Sequence, residues 1–225
     1  MKLKVILAGS TGMVGKGVLY ECLRHPEVES VLVINRRTLE INHPKVREII
    51  HQDLSDLSPI REELGGYDVC FFCVGSVSLK ISKEDYYHVT HDLTLHMATT
   101  LLKINAGLTF IYISGLGADS GEKSRIMRMR VKGEIENSLL ALPLAKAFMF
   151  RPGYIQPKHG VRSSNTLYRV MYSLFAPLYP ILKWLFPKII TSTELLGKAM
   201  INTALAGHDN PIVENREINL IAEKP

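Results

Sequence analysis

The chain has few cysteines and no long uninterrupted apolar run. These two shortages argue against a disulfide-stabilised protein and against a membrane-spanning one. Only three cysteines occur among 225 residues. This small, odd number argues against a disulfide framework and is typical of a reducing cytoplasm, where we expect the protein to be located. The most apolar stretch, residues 166–190, is interrupted by Arg169, Lys183 and three prolines. It therefore lacks the roughly 18 continuous apolar residues of a membrane span, and the N-terminus does not predict a signal peptide.

Clusters of like charge are also missing. The formal net charge is +5, but no run of five or more Lys or Arg residues occurs, so nucleic acid is not an expected partner. A pocket for a phosphate-rich ligand would account for part of the positive excess.

Two patterns suggest metal or redox chemistry but have a simpler explanation. Cys70 and Cys73 form C-x-x-C inside DVCFFCVG, a predicted buried strand in which residues three apart point to opposite faces. Two core residues are therefore favoured over a redox or metal pair. His88 and His91 can share a helix face, but no third ligand lies nearby in sequence, so we expect no metal site.

Strand and helix patterns alternate through the first two thirds of the chain, which predicts an α/β, doubly wound, mostly parallel sheet. The predicted strands are Leu3–Ala8, Val31–Ile34, Val46–Ile50, Asp68–Val74, Leu108–Ile113 and Ala147–Arg151, and the predicted helices are 12–24, 84–103 and 123–140. We expect one domain over residues 1–225, with a core at 1–155. Residues 156–225 should form a small helical extension over the open edge of the ligand site, with a helix at 193–206 and a short strand at 217–221.

The strongest motif is AGSTGMVG at residues 8–15, between the first strand and the first helix. Its glycines permit a tight turn, a close backbone approach to a pyrophosphate, and close packing of helix on strand. The helix N-terminus offers free N–H groups and a positive dipole to phosphates. The pattern predicts a dinucleotide site of the Rossmann type, whose binding residues are Gly9, Ser10, Thr11, Gly12, Met13, Val14 and Gly15, with hydroxyl donation from Ser10 and Thr11.

Arg36 and Arg37 follow the second predicted strand, where a site for NAD would place an acidic residue on the ribose. A guanidinium there fits a 2′-phosphate, which favours NADP(H), although two solvated loop charges are the simpler alternative. Asp53 is expected to accept from the adenine amino group, with Leu54 against the ring. The end of the fourth strand should pass the cofactor ribose at Val74, Gly75 and Ser76.

These motifs resemble the atypical branch of the short-chain dehydrogenase/reductase superfamily, near the Tat-interacting NADP-binding proteins. The matching segments occur in family order and cover about residues 3–155; they are GSTGMVG at 9–15, NRR at 35–37, QDL at 52–54, CVGS at 73–76, YISGLGAD at 112–119, VKGEIE at 131–136 and RPG at 151–153. The resemblance implies that the nicotinamide lies near Ser114, Lys132 and Pro152.

The resemblance also implies a catalytic set of Ser, Tyr and Lys, and the Tyr is missing. Ser114 and Lys132 match their family counterparts, but Arg128 stands at the Tyr position. Arginine does not shuttle protons near neutrality, although it can stabilise an oxyanion. Either the protein binds cofactor without the usual reaction, or a tyrosine elsewhere replaces the missing one, or the substrate takes its proton from water. The candidate tyrosines are Tyr86, Tyr87 and Tyr154.

Two functions from different classes remain. One is an NADP(H)-dependent oxidoreductase acting on an unknown carbonyl compound, and the other is a non-catalytic NADP-binding sensor or protein-interaction module. The apolar residues 166–190 are explained by core covering, by a lid over an apolar substrate, or by an interfacial surface for a membrane, a protein partner or a second copy of the chain.

Overall fold

The computed structural model describes residues 2–75, 81–161, 169 and 176–224. Nine strands lie in this part of the chain: β1 (Leu3–Ala8), β2 (Val28–Asn35), β3 (Val46–Ile50), β4 (Val69–Phe72), β5 (Thr109–Ile113), β6 (Lys146–Arg151), β7 (Tyr154–Gln156), β8 (Ile190–Ser192) and β9 (Ile212–Glu214). The helices are α1 (Met13–Arg24), α2 (Lys83–Tyr87), α3 (Leu93–Ile104), α4 (Met127–Ala141), α5 (Tyr179–Leu185), α6 (Thr193–Ala206) and α7 (Asn215–Ala222), with a 3-10 helix at Ser58–Leu64.

Seven strands form one parallel sheet in the order β3-β2-β1-β4-β5-β6-β9. The chain order reverses direction beside β1, so the carboxyl ends of β1 and β4 flank the switch point at which ligands of such sheets bind. A second, two-stranded parallel sheet joins β7 to β8. The predicted α/β doubly wound fold with a helical C-terminal part is confirmed.

Apolar side chains that alternate along the strands build a core on each face of the sheet. Val5 and Leu7 of β1 join the cluster beneath α1, α6 and α7. Ile6 and Ala8 join the cluster beneath α3, α4 and the 3-10 helix. The central strands are buried on both sides, which explains their nearly continuous apolar sequences.

The predicted strand at 217–221 is wrong, because these residues belong to α7. Ile218, Ile221 and Ala222 are buried at helical spacing. Glu214 and Glu217 form a reciprocal capping box at the start of this helix. The strand in this region is instead the short β9, which precedes the helix.

Two predicted helices differ from the structure in their details. The helix expected from residue 84 is one run from Lys83 to Ile104 that contains a π-helical turn at His88–Asp92. The helix expected from residue 123 begins at Met127, because the Asp119 carboxylate accepts from the N–H groups of Lys123 and Ser124 and holds them in a loop.

Most of the described part of the apolar segment is exposed, although Tyr179 and Ile190 are buried. Trp184 is 79% exposed and Ile181 is 57% exposed on α5, and Leu185 and Phe186 are also exposed. Residues 166–168 and 170–175 of the same segment lie outside the described residues. Of the helices in the described ranges, none has the length and apolar character needed to cross a membrane.

Candidate functional site

The glycine turn connects β1 to α1 at the carboxyl end of the sheet. Gly9 has φ +85°, and a Cβ there would lie 2.8 Å from the carbonyl carbon of Cys73. A Cβ at Gly15 would lie 2.2 Å from the Gly9 carbonyl oxygen. Both positions therefore require glycine, one for the turn against β4 and the other for the close packing of α1 on it.

The first turn of α1 has the features of an anion-binding helix terminus. Gly12 is the N-cap residue, and no side chain caps the helix. The first-turn N–H groups, including those of Met13 and Val14, thus lack a side-chain acceptor, and the positive end of the helix dipole lies at the switch point. This cradle fits the pyrophosphate of a dinucleotide.

The Ser10 side chain is not a phosphate donor in this structure, which corrects one expectation. Ser10 is fully buried, and its hydroxyl donates to Asn35 Oδ1 at 2.7 Å. The hydroxyl of Thr11 belongs to an exposed residue of the same turn. The sequence did not reveal the pairing of Ser10 with Asn35, because 25 residues separate them along the chain.

Arg36 and Arg37 directly follow β2, and both are exposed. The Arg36 carbonyl oxygen accepts from Gln52 Nε2 at 2.8 Å, which fixes the backbone of this loop beside the residues that follow β3. Among the described residues, neither guanidinium forms an ion pair. The two positive charges stand at the end of the strand next to the glycine turn, as the sequence predicts.

Asp53 and Leu54 lie beyond β3 on the same edge. One carboxylate oxygen of Asp53 accepts from the N–H group and hydroxyl of Ser55, at 2.8 and 2.6 Å. These hydrogen bonds lower the pKa of Asp53, and they involve only one of its two carboxylate oxygens. Leu54 is half-buried against the core cluster beneath α3.

The end of β4 contacts the glycine turn from the other side. Val74 is half-buried, and its backbone nitrogen would lie 2.9 Å from a Cβ at Gly9. Among the described residues, no atom lies within 4 Å of a Cβ built at Gly75. Ser76 lies outside the described residues.

Ser114 and Lys132 meet at the end of β5. Lys132 Nζ donates to the Ser114 carbonyl oxygen at 2.6 Å, and a Cβ at Gly115 would lie 2.4 Å from the same Nζ. Burial lowers the pKa of Lys132 to about 8, and the nearby Arg128 charge lowers it too, whereas Glu136 opposes both effects. The Ser114 hydroxyl is buried without a hydrogen-bond partner in the described structure. Such an orphaned hydroxyl marks a place for a polar ligand atom.

Arg128 lies one helical turn before Lys132 and stacks on a tyrosine that the sequence offered as a substitute acid. Its guanidinium carbon is 4.5 Å from the ring centroid of Tyr86. Tyr86 is 2% exposed, and burial raises the pKa of its phenol. The other two candidate tyrosines have different contacts, since Tyr87 stacks on His91 and the Tyr154 hydroxyl donates to Gln156.

The VKGEIE and RPG motifs form one network behind the site. Arg151 pairs with the fully buried Glu136, donates to Ser120 Oγ at 2.6 Å, and pairs with Glu214 at 3.1 Å. Pro152 is buried, and its carbonyl oxygen accepts from Leu116 N at 2.9 Å. The network fixes α4, which carries Lys132, to the strand that leads to the predicted nicotinamide loop.

The cysteine pattern spans β4 and the residue after it, and the histidine pattern lies in the π-helical turn. Cys70 is buried in β4, and burial raises the pKa of its thiol. His88 and His91 both contact Asp92, at 3.4 and 3.0 Å. Within the described ranges, no three His, Cys, Asp or Glu side chains cluster closely enough to hold a metal ion.

Comparison with known proteins supports a nicotinamide site. Residues 5–125 match the family model described as the NAD dependent epimerase/dehydratase family. "Protein fmp52, mitochondrial" of Emericella nidulans is 29% identical over 216 residues, which are 89% of this chain and 87% of that protein. "Protein HTATIP2" of Rattus norvegicus is 29% identical over 154 residues, which are 67% of this chain and 62% of that protein.

A solved structure shares the fold. The short chain dehydrogenase family protein from Francisella tularensis superposes with a TM-score of 0.63 at 16% identity, over 92% of this chain and 93% of that chain. The resemblance to atypical short-chain dehydrogenases/reductases is thereby confirmed. The expected cytoplasmic location is wrong on this evidence, because the Emericella nidulans relative is named mitochondrial.

Proposed function

The chain belongs to the NAD dependent epimerase/dehydratase family, and we propose on this basis that it is an NADP(H)-dependent oxidoreductase acting on a carbonyl compound. One observation carries the proposal: the buried Ser114 hydroxyl has no partner in the described structure and lies on the residue whose carbonyl oxygen holds Lys132. A substrate oxygen would satisfy this hydroxyl, since burying it unpaired costs about 1–3 kcal/mol.

The residues near the carboxyl end of β5 would have distinct roles in that reaction. The bound nicotinamide supplies or accepts the hydride. The Ser114 hydroxyl donates a hydrogen bond that orients the substrate carbonyl. Lys132, whose Nζ occupies the space that a Cβ at Gly115 would fill, would bind the ribose hydroxyls. Arg128 would offer positive charge to the substrate oxygen that becomes negative in the transition state, and water would supply the proton when a carbonyl is reduced.

Arg36 and Arg37 support NADP(H) over NAD(H) within this proposal. Both guanidiniums are exposed at the end of β2, at the position where an acidic residue would select the ribose hydroxyl of NAD. A 2′-phosphate can accept charge-assisted hydrogen bonds from a guanidinium fork.

Titration of the purified protein with NADPH and NADH, followed by fluorescence and thermal shift, tests the proposal. We expect NADPH to bind at least about tenfold more tightly, a difference of roughly 1.4 kcal/mol. The Arg36→Ala/Arg37→Ala variant should lose this preference, whereas Arg61→Ala, at an exposed arginine of the 3-10 helix, should keep it. Failure of the wild-type protein to bind either nucleotide would refute the proposed function.

Arg128 favours a second candidate, an NADP(H)-binding protein that senses the cofactor or presents it to a protein partner. Its guanidinium is stacked on Tyr86 where the family places a proton-donating tyrosine. Arg128→Tyr discriminates between the two candidates. A large gain in carbonyl reductase activity would show that the wild-type protein lacks its acid, whereas loss of an existing activity would show that Arg128 takes part in the reaction.

A further inference from the structure

A chain of side-chain hydrogen bonds runs from the glycine turn to the loop that carries the two arginines. The buried Ser10 hydroxyl donates to Asn35 Oδ1 at 2.7 Å, and Asn35 Nδ2 donates to Glu48 Oε1 at 2.9 Å. Asn35 is the last residue of β2 and is 4% exposed, while Glu48 lies in the middle of β3. The side chains of Asn35 and Glu48 thus join the glycine turn, the end of β2 and the middle of β3.

The same carboxylate holds the loop beyond the arginines. Glu48 Oε1 accepts from Leu39 N at 3.0 Å, and Glu48 Oε2 accepts from Thr38 Oγ1 at 2.8 Å. On the other side of the loop, Gln52 holds the Arg36 carbonyl oxygen. The backbone of residues 36–39 is therefore fixed at both ends, and the arginine side chains start from a defined position.

The charge of Glu48 is not explained by an ion pair. In the parts of the chain that the structure describes, its partners are the neutral donors of Asn35, Thr38 and Leu39. A negative charge beside a 2′-phosphate repels it, so electrostatics alone gives no reason for a carboxylate here. A carboxylate at this position is explained instead by its capacity to accept these three hydrogen bonds.

We infer that Glu48, acting through Asn35 and the loop at residues 36–39, is a positioning residue that determines the preference for a 2′-phosphorylated dinucleotide. The inference rests on the proposed function. The covalent structure of NADP fixes the separation of its pyrophosphate from its 2′-phosphate, so a site that recognises both must hold the glycine turn and the arginine loop in register. Glu48 and Asn35 form that connection, although neither is expected to touch the cofactor.

Glu48→Ala tests the inference because two explanations predict opposite signs. If Glu48 contributed only its charge, its removal would tighten NADPH binding. If Glu48 positions the arginine loop, its removal should raise the Kd for NADPH by about tenfold, because hydrogen bonds to a charged group are lost. The Kd for NADH should change by less than about threefold. Both constants are measured by fluorescence titration.

Two further variants separate positioning from general damage. Glu48→Gln keeps an oxygen for Asn35 and Leu39 and an amide that donates to Thr38, so it should retain the NADPH preference. Glu29→Ala removes an exposed glutamate of β2 that pairs with Lys4 at 3.7 Å, and it should also leave the preference unchanged. Thermal unfolding without nucleotide should show Glu48→Ala to be folded, and Glu48→Gln supplies the test if it is not.

The outcomes distinguish this inference from the proposed function. A wild-type protein that does not discriminate between the two nucleotides would overturn the proposed NADP(H) preference and the inference together. A discriminating wild-type protein with unchanged discrimination in Glu48→Ala would overturn the inference alone. Loss of discrimination in Glu48→Gln as well would also overturn it, because the acceptor would then not be the decisive property.

Discussion

Lys132 shows how the surroundings of one residue alter its chemistry. Its ammonium lies in the space above Gly115, in contact with the Ser114 carbonyl oxygen. Burial is the largest cause that lowers its pKa to about 8. A lysine with a pKa near the working pH responds to its ligand by changing its protonation, which an exposed lysine does not do.

The lowered pKa makes the stability of the protein depend on pH. The unfolded chain holds the Lys132 proton up to about its ordinary pKa of 10.5, whereas the folded protein releases it near 8. Below pH 8 the cost of burying the charge is fully present, and the free energy of unfolding should rise between pH 8 and 10.5 by up to about 1.4 kcal/mol per unit of pKa difference.

Denaturant unfolding across this pH range, with Lys132→Met as the comparison, measures the effect. The wild-type protein should gain stability relative to Lys132→Met as the pH rises through the window. The exposed Lys103→Met variant should follow the wild-type curve. Parallel curves for the wild-type protein and Lys132→Met would contradict the predicted linkage.

At the scale of elements, the glycine helix α1 is held against the sheet by a helix from the C-terminal third. A Cβ built at Gly17 of α1 would lie 2.4 Å from Cβ of Thr193, the first residue of α6. The Thr193 side chain is 1% exposed and cannot move away. The position of α1, and with it the phosphate-binding turn, therefore depends on α6.

Gly17→Ala should force these two helices apart. Overpacking of this kind costs about 1–3 kcal/mol, and we expect a lower midpoint of thermal unfolding together with weaker NADPH binding. Gly107→Ala is the matched control, since no atom lies within 4 Å of its Cβ position. Equal unfolding midpoints for the two variants would show that the contact between α1 and α6 is not tight.

On the scale of the whole molecule, the C-terminal residues complete the sheet and support the loop beside the predicted nicotinamide site. β9 pairs with β6, and the buried Asn215 at the start of α7 connects several segments. Its Oδ1 accepts from Gly153 N at 2.9 Å, and its Nδ2 donates to the carbonyl oxygens of Pro187 and Ile190 at 3.0 and 3.1 Å.

Asn215→Ala should leave the N–H group of Gly153 without its side-chain acceptor, whereas the carbonyl oxygens of Pro187 and Ile190 keep hydrogen bonds from Asn219 Nδ2 at 3.1 and 2.9 Å. A buried group left unpaired costs about 1–3 kcal/mol, so we expect a loss of stability of about that size in denaturant unfolding. Asn210→Ala, at an exposed loop position, should be close to neutral. Equal stabilities of Asn215→Ala and Asn210→Ala would show that the hydrogen bond from Gly153 to Asn215 contributes little to the fold.

The sequence by itself determined the parallel sheet and the glycine turn. Both are encoded by neighbouring residues, namely short apolar runs that end at glycine and a helix that begins directly after the turn. Local patterns also predicted the helix at 193–206, whose bounds agree with α6. They failed at 217–221, where the predicted strand is part of a helix whose buried positions follow a helical period.

Only the tertiary structure decided how distant side chains combine at the site. It paired Ser10 with Asn35, stacked Arg128 on Tyr86, and joined Arg151 to Glu136. Hydrogen bonds and ion pairs between distant residues depend on how strands and helices are placed side by side, and no local periodicity records that placement. The sequence could therefore propose residues for the site, whereas the fold set which of their side chains are already paired with other parts of the chain.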